Sequence, residues 1–136
     1  MFERWQLELI ASARIAHLAT IAADGRPAVL PVCFVLHHER FFSAIDEKPK
    51  RGTPLARLRN IARDRRVTLL VDRYEEDWRR LCWLRIDGVA AVLPRGEIEP
   101  SALDALRHKY SQYATMALES LPLIAITPER VSSWHP

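Results

Sequence analysis

Three stretches of this chain carry apolar residues at helical spacing, and between them the apolar residues come in runs of strand length. Phe2, Trp5, Leu9 and Ile10 recur on one side of a helix over 1–13, with Leu7 off that stripe. Ile15 to Ala23 reads as a strand closed by the turn Ala23-Asp24-Gly25-Arg26; an Asp-Gly pair between apolar runs signals a hairpin, because glycine accepts the positive φ of a tight turn. Pro27 to Leu36 is the returning strand. Pro31 within it marks an edge, a bulge or a bend, since proline donates no ladder hydrogen bond. His37-His38-Glu39-Arg40 turns into a third strand, Phe41 to Asp46. A second helix starts with Thr53 as N-cap and Pro54 at the first helical position. Its Leu55, Leu58, Ile61 and Ala62 face the sheet, while Arg57, Arg59, Arg63 and Arg66 fall elsewhere on the cylinder. Strands Val67 to Tyr74 and Leu81 to Leu93 flank the charged segment Glu75 to Arg80. A third helix, Pro100 to Tyr113, places Leu103, Leu106 and Tyr110 on one side. A sixth strand runs from Leu121 to Thr127, and the chain ends at Val131 to Pro136.

Strands joined by short turns pair antiparallel, which excludes a doubly wound nucleotide-binding sheet at the N-terminal end. Six antiparallel strands with few helices predict a mainly β protein, a closed or nearly closed barrel that removes exposed sheet edges, in one domain over 1–136. A chain of 136 residues buries roughly two-thirds of its unfolded surface. The longest apolar runs, such as Pro27 to Leu36, are about half the ~20 residues of a membrane helix. Glu3 and Glu8 interrupt the N-terminal apolar residues, unlike a signal peptide. The expectation is a cytoplasmic protein with no membrane partner.

Charge singles out one region. Glu47 to Arg66 holds eight basic residues against two acidic ones, a local +6, while the whole chain carries +3 and the remainder is therefore net acidic. Lys48, Lys50 and Arg51 follow the third strand directly and precede a helix N-terminus, whose amides and dipole also favour anions. With only four glycines, none clustered, there is no glycine-rich phosphate cradle, so a phosphate here must be held by side chains.

Catalytic and metal motifs are absent: there is no GxSxG, HExxH or Walker loop. No histidine pair has the i,i+4 spacing of a helical metal site, and His37 and His38, adjacent on a strand, should point to opposite faces. No metal and no catalytic residue is assigned. Cys33 and Cys82 sit in apolar strand segments as buried free thiols. Tyr74, Trp78 and Trp83, interleaved with Arg73, Arg79, Arg80 and Arg85, are core or interface residues, or cover a flat conjugated ring or a dimer seam.

The segments RIAHLATIAADGRPAVLPVCF (14–34), AIDEKPKR (44–51), LRNIARDRRVTLLVD (58–72) and YEEDWRRLCWLRIDGVA (74–90) resemble the pyridoxamine 5′-phosphate oxidase-like, or flavin reductase-like split β-barrel, superfamily. The combination of DEKPKR with EEDW and WLRIDG is similar to the subgroup that depends on the deazaflavin coenzyme F420. The resemblance implies a six-stranded split β-barrel of the FMN-binding type, forming a homodimer with cofactor sites at the subunit interface. It assigns Lys48, Lys50 and Arg51 to the cofactor phosphate. Pro31, Val32, Cys33, Ala44 and Asp46 border the ring, and Trp78, Trp83 and Arg85 approach from the interface. Arg57, and further along the helix Arg59 and Arg63, are the candidates to meet the carboxylates of the F420 tail, whichever of them faces the groove. The implied activity is hydride transfer to or from a small-molecule substrate, with FMN as the alternative cofactor and cofactor storage without turnover as the alternative role. A nucleic-acid-binding barrel using the basic helix is the competing class, but the chain lacks the aromatic ladder on adjacent strands that single-strand binders use, and no nucleic-acid partner is expected.

Overall fold

The computed structural model describes residues 1–45 and 55–136. In chain order its elements are α1 (Arg4–Ser12), β1 (Ala16–Ile21), β2 (Pro27–Val32), β3 (Val35–His37), β4 (Arg40–Ala44), α2 (Ala56–Arg63), β5 (Arg66–Arg73), β6 (Cys82–Leu93), α3 (Pro100–Lys109) and β7 (Leu123–Trp134). The strands form one antiparallel sheet in the order β2-β1-β5-β6-β7-β4-β3.

β2 and β3 lie at opposite ends of that order, yet only Cys33 and Phe34 separate them in the chain. Consecutive Cα atoms are about 3.8 Å apart, so the sheet must curl until its two edges meet at this point. No ladder joins β2 to β3, and the barrel is split rather than closed. The expected mainly β, split-barrel architecture is present, with two changes of detail. The run 27–36, read as one strand, breaks at Cys33-Phe34. The last strand, expected to stop at Thr127, continues to Trp134, paired with β6 throughout. Among the described residues seven strands therefore replace six. Pro27 and Pro31 both sit on β2, an edge strand, as their missing amide donors require.

The inner face of the barrel packs Leu18, Phe41, Leu69, Val71, Leu84, Ile86 and Ile126, closed by Leu9 and Ile10 of α1 and Ile61 of α2. A second core lies behind β4 and β7, where Phe42, Ala44, Leu123 and Ala125 meet Leu103, Leu106 and Tyr110 of α3 and its C-cap. That half of the sheet is buried on both faces. β1, β5 and β6 alternate buried with more accessible positions, and among the described residues no helix covers their outer face.

The second helix departs from expectation. It begins at Ala56 with Leu55 at the N-cap, while Thr53 and Pro54 lie outside the described residues. Its buried residues are Arg57, Asn60 and Ile61; Ala62, expected to face the sheet, is exposed. Arg66 belongs to β5, where it pairs with Asp64 at 2.7 Å.

The two hairpin turns contrast in their chemistry. Gly25 takes φ +86 in the β1–β2 turn, where its amide donates to Ala22 O at 2.9 Å. The two-residue β3–β4 turn puts His38 (φ 47) and Glu39 (φ 68) in the same left-handed region without glycine. The turn also stacks the His37 and His38 rings 3.9 Å apart, so the expectation that they face opposite ways is corrected. Left-handed backbone costs an L-residue about 1–2 kcal/mol, part of which glycine's greater chain entropy offsets. Glu39→Gly should therefore raise stability by ~0.5–1 kcal/mol. Urea unfolding would show it as a higher midpoint at unchanged slope; a lower midpoint would refute the strain.

Candidate functional site

A cavity of about 400 Å^3 opens at the split. One wall is the C-terminal end of β2 with the residue after it: Leu30, Pro31, Val32 and Cys33. Opposite stand Ser43 and Ala44, whose small side chains follow the bulky Phe41 and Phe42 and leave room beside them. Ile15 closes one end, and Arg57 of α2 lines the cavity with its side chain largely buried. The placement of Arg57 is fixed one turn further along. The Asn60 amide donates to Thr20 Oγ1 at 3.0 Å, and both residues are buried, which pins α2 to the inner face of β1. Arg57 brings a planar fork of guanidinium donors to this mainly apolar cavity.

Pro31, Val32, Cys33, Ala44 and Arg57, all predicted for the site, come together here from three separate elements. Asp46, Lys48, Lys50 and Arg51 lie outside the described residues; in sequence they fall between Ala44 and Arg57. Trp78, Trp83 and Arg85 are not in the cavity. Trp78 starts a single 3-10 turn and is highly exposed, and Trp83 and Arg85 occupy the outer face of β6. The arginines expected to interleave with these aromatics bind carboxylates instead: Arg79 pairs with Asp77 at 2.9 Å and Arg80 with Glu75 at 2.5 Å. Sequence reasoning missed Ile15, Leu30 and Ser43. The Ser43-Ala44 pair of small residues was the available signal.

The expectation of two buried thiols holds for Cys82 but not for Cys33, which is half-buried at the cavity. Among the described residues no group of three or more His, Cys, Asp or Glu is arranged to hold a metal ion, and no helix is long and apolar enough to cross a membrane.

The outer face of the sheet adjoins the cavity through Pro31. A row of paired positions runs from Pro31 through His17, Leu70 and Arg85 to Ser132. In the next row but one, Trp83 stands opposite Trp134, and both are partly exposed. Asp87 anchors the polar end of this face. It accepts from Thr68 Oγ1 at 2.7 Å and from Arg130 Nη2 at 2.8 Å, and these bonds, Arg130's first, hold its carboxyl below the ordinary carboxylate range.

The split barrel has relatives of known sequence and structure. Residues 3–135 match the pyridoxamine 5′-phosphate oxidase family model, and the chain belongs to that family. No curated protein matches it in sequence. Among solved structures it is similar to HutZ, the heme storage protein of Vibrio cholerae, at 21% identity and a TM-score of 0.72, over 94% of this chain and 89% of that one. It is also similar to a FAD-binding protein of Mesorhizobium loti, at 19% identity and a TM-score of 0.69 over 97% and 94% of the two chains. An F420 reductase aligns at 22% identity and a TM-score of 0.67, over 92% and 94%. At these identities the likeness is one of fold.

Proposed function

We propose that the cavity at the split holds the ring system of a flavin-type cofactor, and that the protein is an oxidoreductase using coenzyme F420 for hydride transfer to or from a small substrate. The observation that carries this is the convergence of Pro31, Val32, Cys33, Ala44 and Arg57 on one cavity. Its size falls in the range of small-molecule sites, its walls suit a flat apolar ring, and Arg57 suits an anionic substituent. Lys48, Lys50 and Arg51 hold the phosphate on this reading. A bound flavin or deazaflavin supplies the hydride chemistry itself. The chain's residues bind it, orient it and exclude water, which agrees with a sequence free of hydrolytic motifs. Membership of the pyridoxamine 5′-phosphate oxidase family and the fold shared with an F420 reductase support the reading.

The second reading, FMN in the same cavity, is favoured by the fold shared with a FAD-binding protein. Storage of a cofactor without turnover is favoured by the fold shared with HutZ. Titrating the purified protein with F420 and with FMN at low and high salt separates the first two, read by absorbance and melting temperature. F420 should bind more tightly at low salt, with an advantage that salt erodes, because exposed charge pairs to its tail contribute at most ~1 kcal/mol each. Tighter FMN binding under both conditions would overturn the F420 assignment. Lys50→Ala should weaken the bound cofactor by ~1.5–3 kcal/mol and leave the apo melting temperature unchanged.

The same reading makes the protein a homodimer with its sites at the interface. Val29, Trp83 and Trp134 are exposed on the uncovered outer face, and Pro31 belongs both to that face and to the cavity wall. A second copy seated there would bring Trp83 and Arg85 of each chain toward its partner's cavity. Light scattering at micromolar concentration should give twice the mass of the chain; a monomer mass would remove the shared-site arrangement.

A further inference from the structure

A larger cavity, of about 620 Å^3, opens between α1, β3 and α3 and shares no lining residue with the one at the split. Apolar walls from Ile10, Val35 and Leu36 meet a rim of three basic side chains, Arg14, His108 and Lys109. Lys109 is half-buried. Its ammonium donates to Ile10 O at 2.9 Å, near the C-terminal end of α1, and stands 3.8 Å from the centre of the Phe34 ring. Arg14 donates to Lys109 O at 2.9 Å and lies over the Tyr110 ring at 4.7 Å.

These contacts position both cations without neutralising either. A helix C-terminus and the faces of aromatic rings carry only partial negative charge. An ammonium has three donors and a guanidinium five, and each group uses one on a carbonyl here. Among the described residues no carboxylate lies within 4.0 Å of Arg14 or Lys109, whereas Arg4, Arg26, Arg66, Arg73, Arg79, Arg80, Arg85, Arg107 and Arg130 all have one. Burial, and then the neighbouring Arg14 charge, draws the Lys109 pKa down to about 8. Two like charges held together at the mouth of an apolar cavity are an unfavourable arrangement that an anion from outside would relieve.

We infer that this cavity binds an amphipathic organic anion, with its carboxylate between Arg14 and Lys109 and its hydrocarbon part between α1 and β3. A free phosphate or other small polar anion would leave the apolar walls unused, and a neutral lipid would leave the cations unpaired. The site is independent of the cofactor cavity and its reading.

The test is calorimetric titration of the whole protein with octanoate and, separately, with octan-1-ol, which has the same chain without the charge. Octanoate should bind about tenfold or more tightly than octanol, as a charge-assisted hydrogen bond implies. Arg14→Gln, at an exposed position that leaves folding intact, and Lys109→Gln should each cut octanoate affinity about tenfold and leave octanol unchanged. Arg57→Gln reports on the other cavity and should leave octanoate binding as it was. Absence of octanoate binding, equal binding of octanol, indifference to Arg14→Gln, or loss in Arg57→Gln would each overturn the inference.

Discussion

Gly88→Ala is expected to destabilise the fold by about 3 kcal/mol or more, and Gly88→Val to leave little folded protein. A Cβ at position 88 would sit 2.3 Å from Thr127 O, 3.1 Å from Thr127 C and 3.2 Å from Pro128 Cα. All three atoms are backbone, so no side chain can rotate away. The contact is close because the β6–β7 ladder shifts register there: Asp87 pairs with Arg130 but Gly88 with Pro128, leaving Glu129 as the extra residue of a bulge. β6–β7 also joins the β2-β1-β5 side of the sheet to the β4-β3 side, so a bulge pushed open strains the whole barrel. Against a typical total stability of about 5–15 kcal/mol, such a loss is large. Gly96→Ala is the control. A Cβ there meets nothing within 4 Å, and the change should stay within about 0.5 kcal/mol. Wild-type unfolding of Gly88→Ala in urea would mean that the bulge absorbs a methyl group, contrary to this geometry.

The same bulge marks how far the sequence could be read. Asp24-Gly25 announces its turn because positive φ is a local requirement that glycine meets at no steric cost. Gly88 looks like an ordinary strand glycine, and the reason for it lies forty residues away in Thr127 and Pro128. The break at Cys33-Phe34 was hidden for a related reason. Pro27 to Leu36 is continuous in apolar character, and only the demand that both edges of one curled sheet meet there divides it. Strands β1, β4, β5 and β6 were legible within a residue or two because their burial is set by their own alternation or apolar run.

For the site, residue type was a better guide than helical face. Basic clustering drew attention to the stretch from Glu47 to Arg66, which contains Arg57, and the β2 residues Pro31 and Val32 line the cavity with Arg57. The helix periodicity was right for Leu55, Leu58 and Ile61, which pack on the core, but it gave no sign that Arg57 and Asn60 are buried beside them. A buried arginine is stable only where its charge is answered, and that condition is met by tertiary surroundings that spacing cannot show. Trp83 and Arg85 are exposed on the outer face of β6, and their distance from the cavity within one chain follows from the strand order, which the sequence does not display.

Tyr110→Phe is the second large effect, and it tests how the seam of the barrel is held. The Tyr110 hydroxyl accepts the Phe34 amide at 3.0 Å and lies within donating distance of Arg14 O at 3.0 Å and Phe34 O at 3.1 Å. Phe34 is one of the two residues linking β2 to β3, and Arg14 leads into β1, so one oxygen ties both edges of the sheet to α3. Phe34 is almost fully buried, and burial raises the Tyr110 pKa against the lowering effect of the Phe34 amide, keeping the hydroxyl a neutral donor and acceptor. Phenylalanine keeps the ring, its packing on Tyr113 and the Arg14 stack, and removes only the oxygen. A buried amide left without its acceptor costs ~1–3 kcal/mol. The expected loss is about 2 kcal/mol, with Tm lower by roughly 5–10 °C. Amide exchange locates the effect: Phe34 and Val35 should exchange faster while the β5–β6 ladder keeps its protection relative to the lowered global stability. Unchanged exchange at Phe34 would show that the seam is held by packing of the Phe34 ring rather than by the hydroxyl.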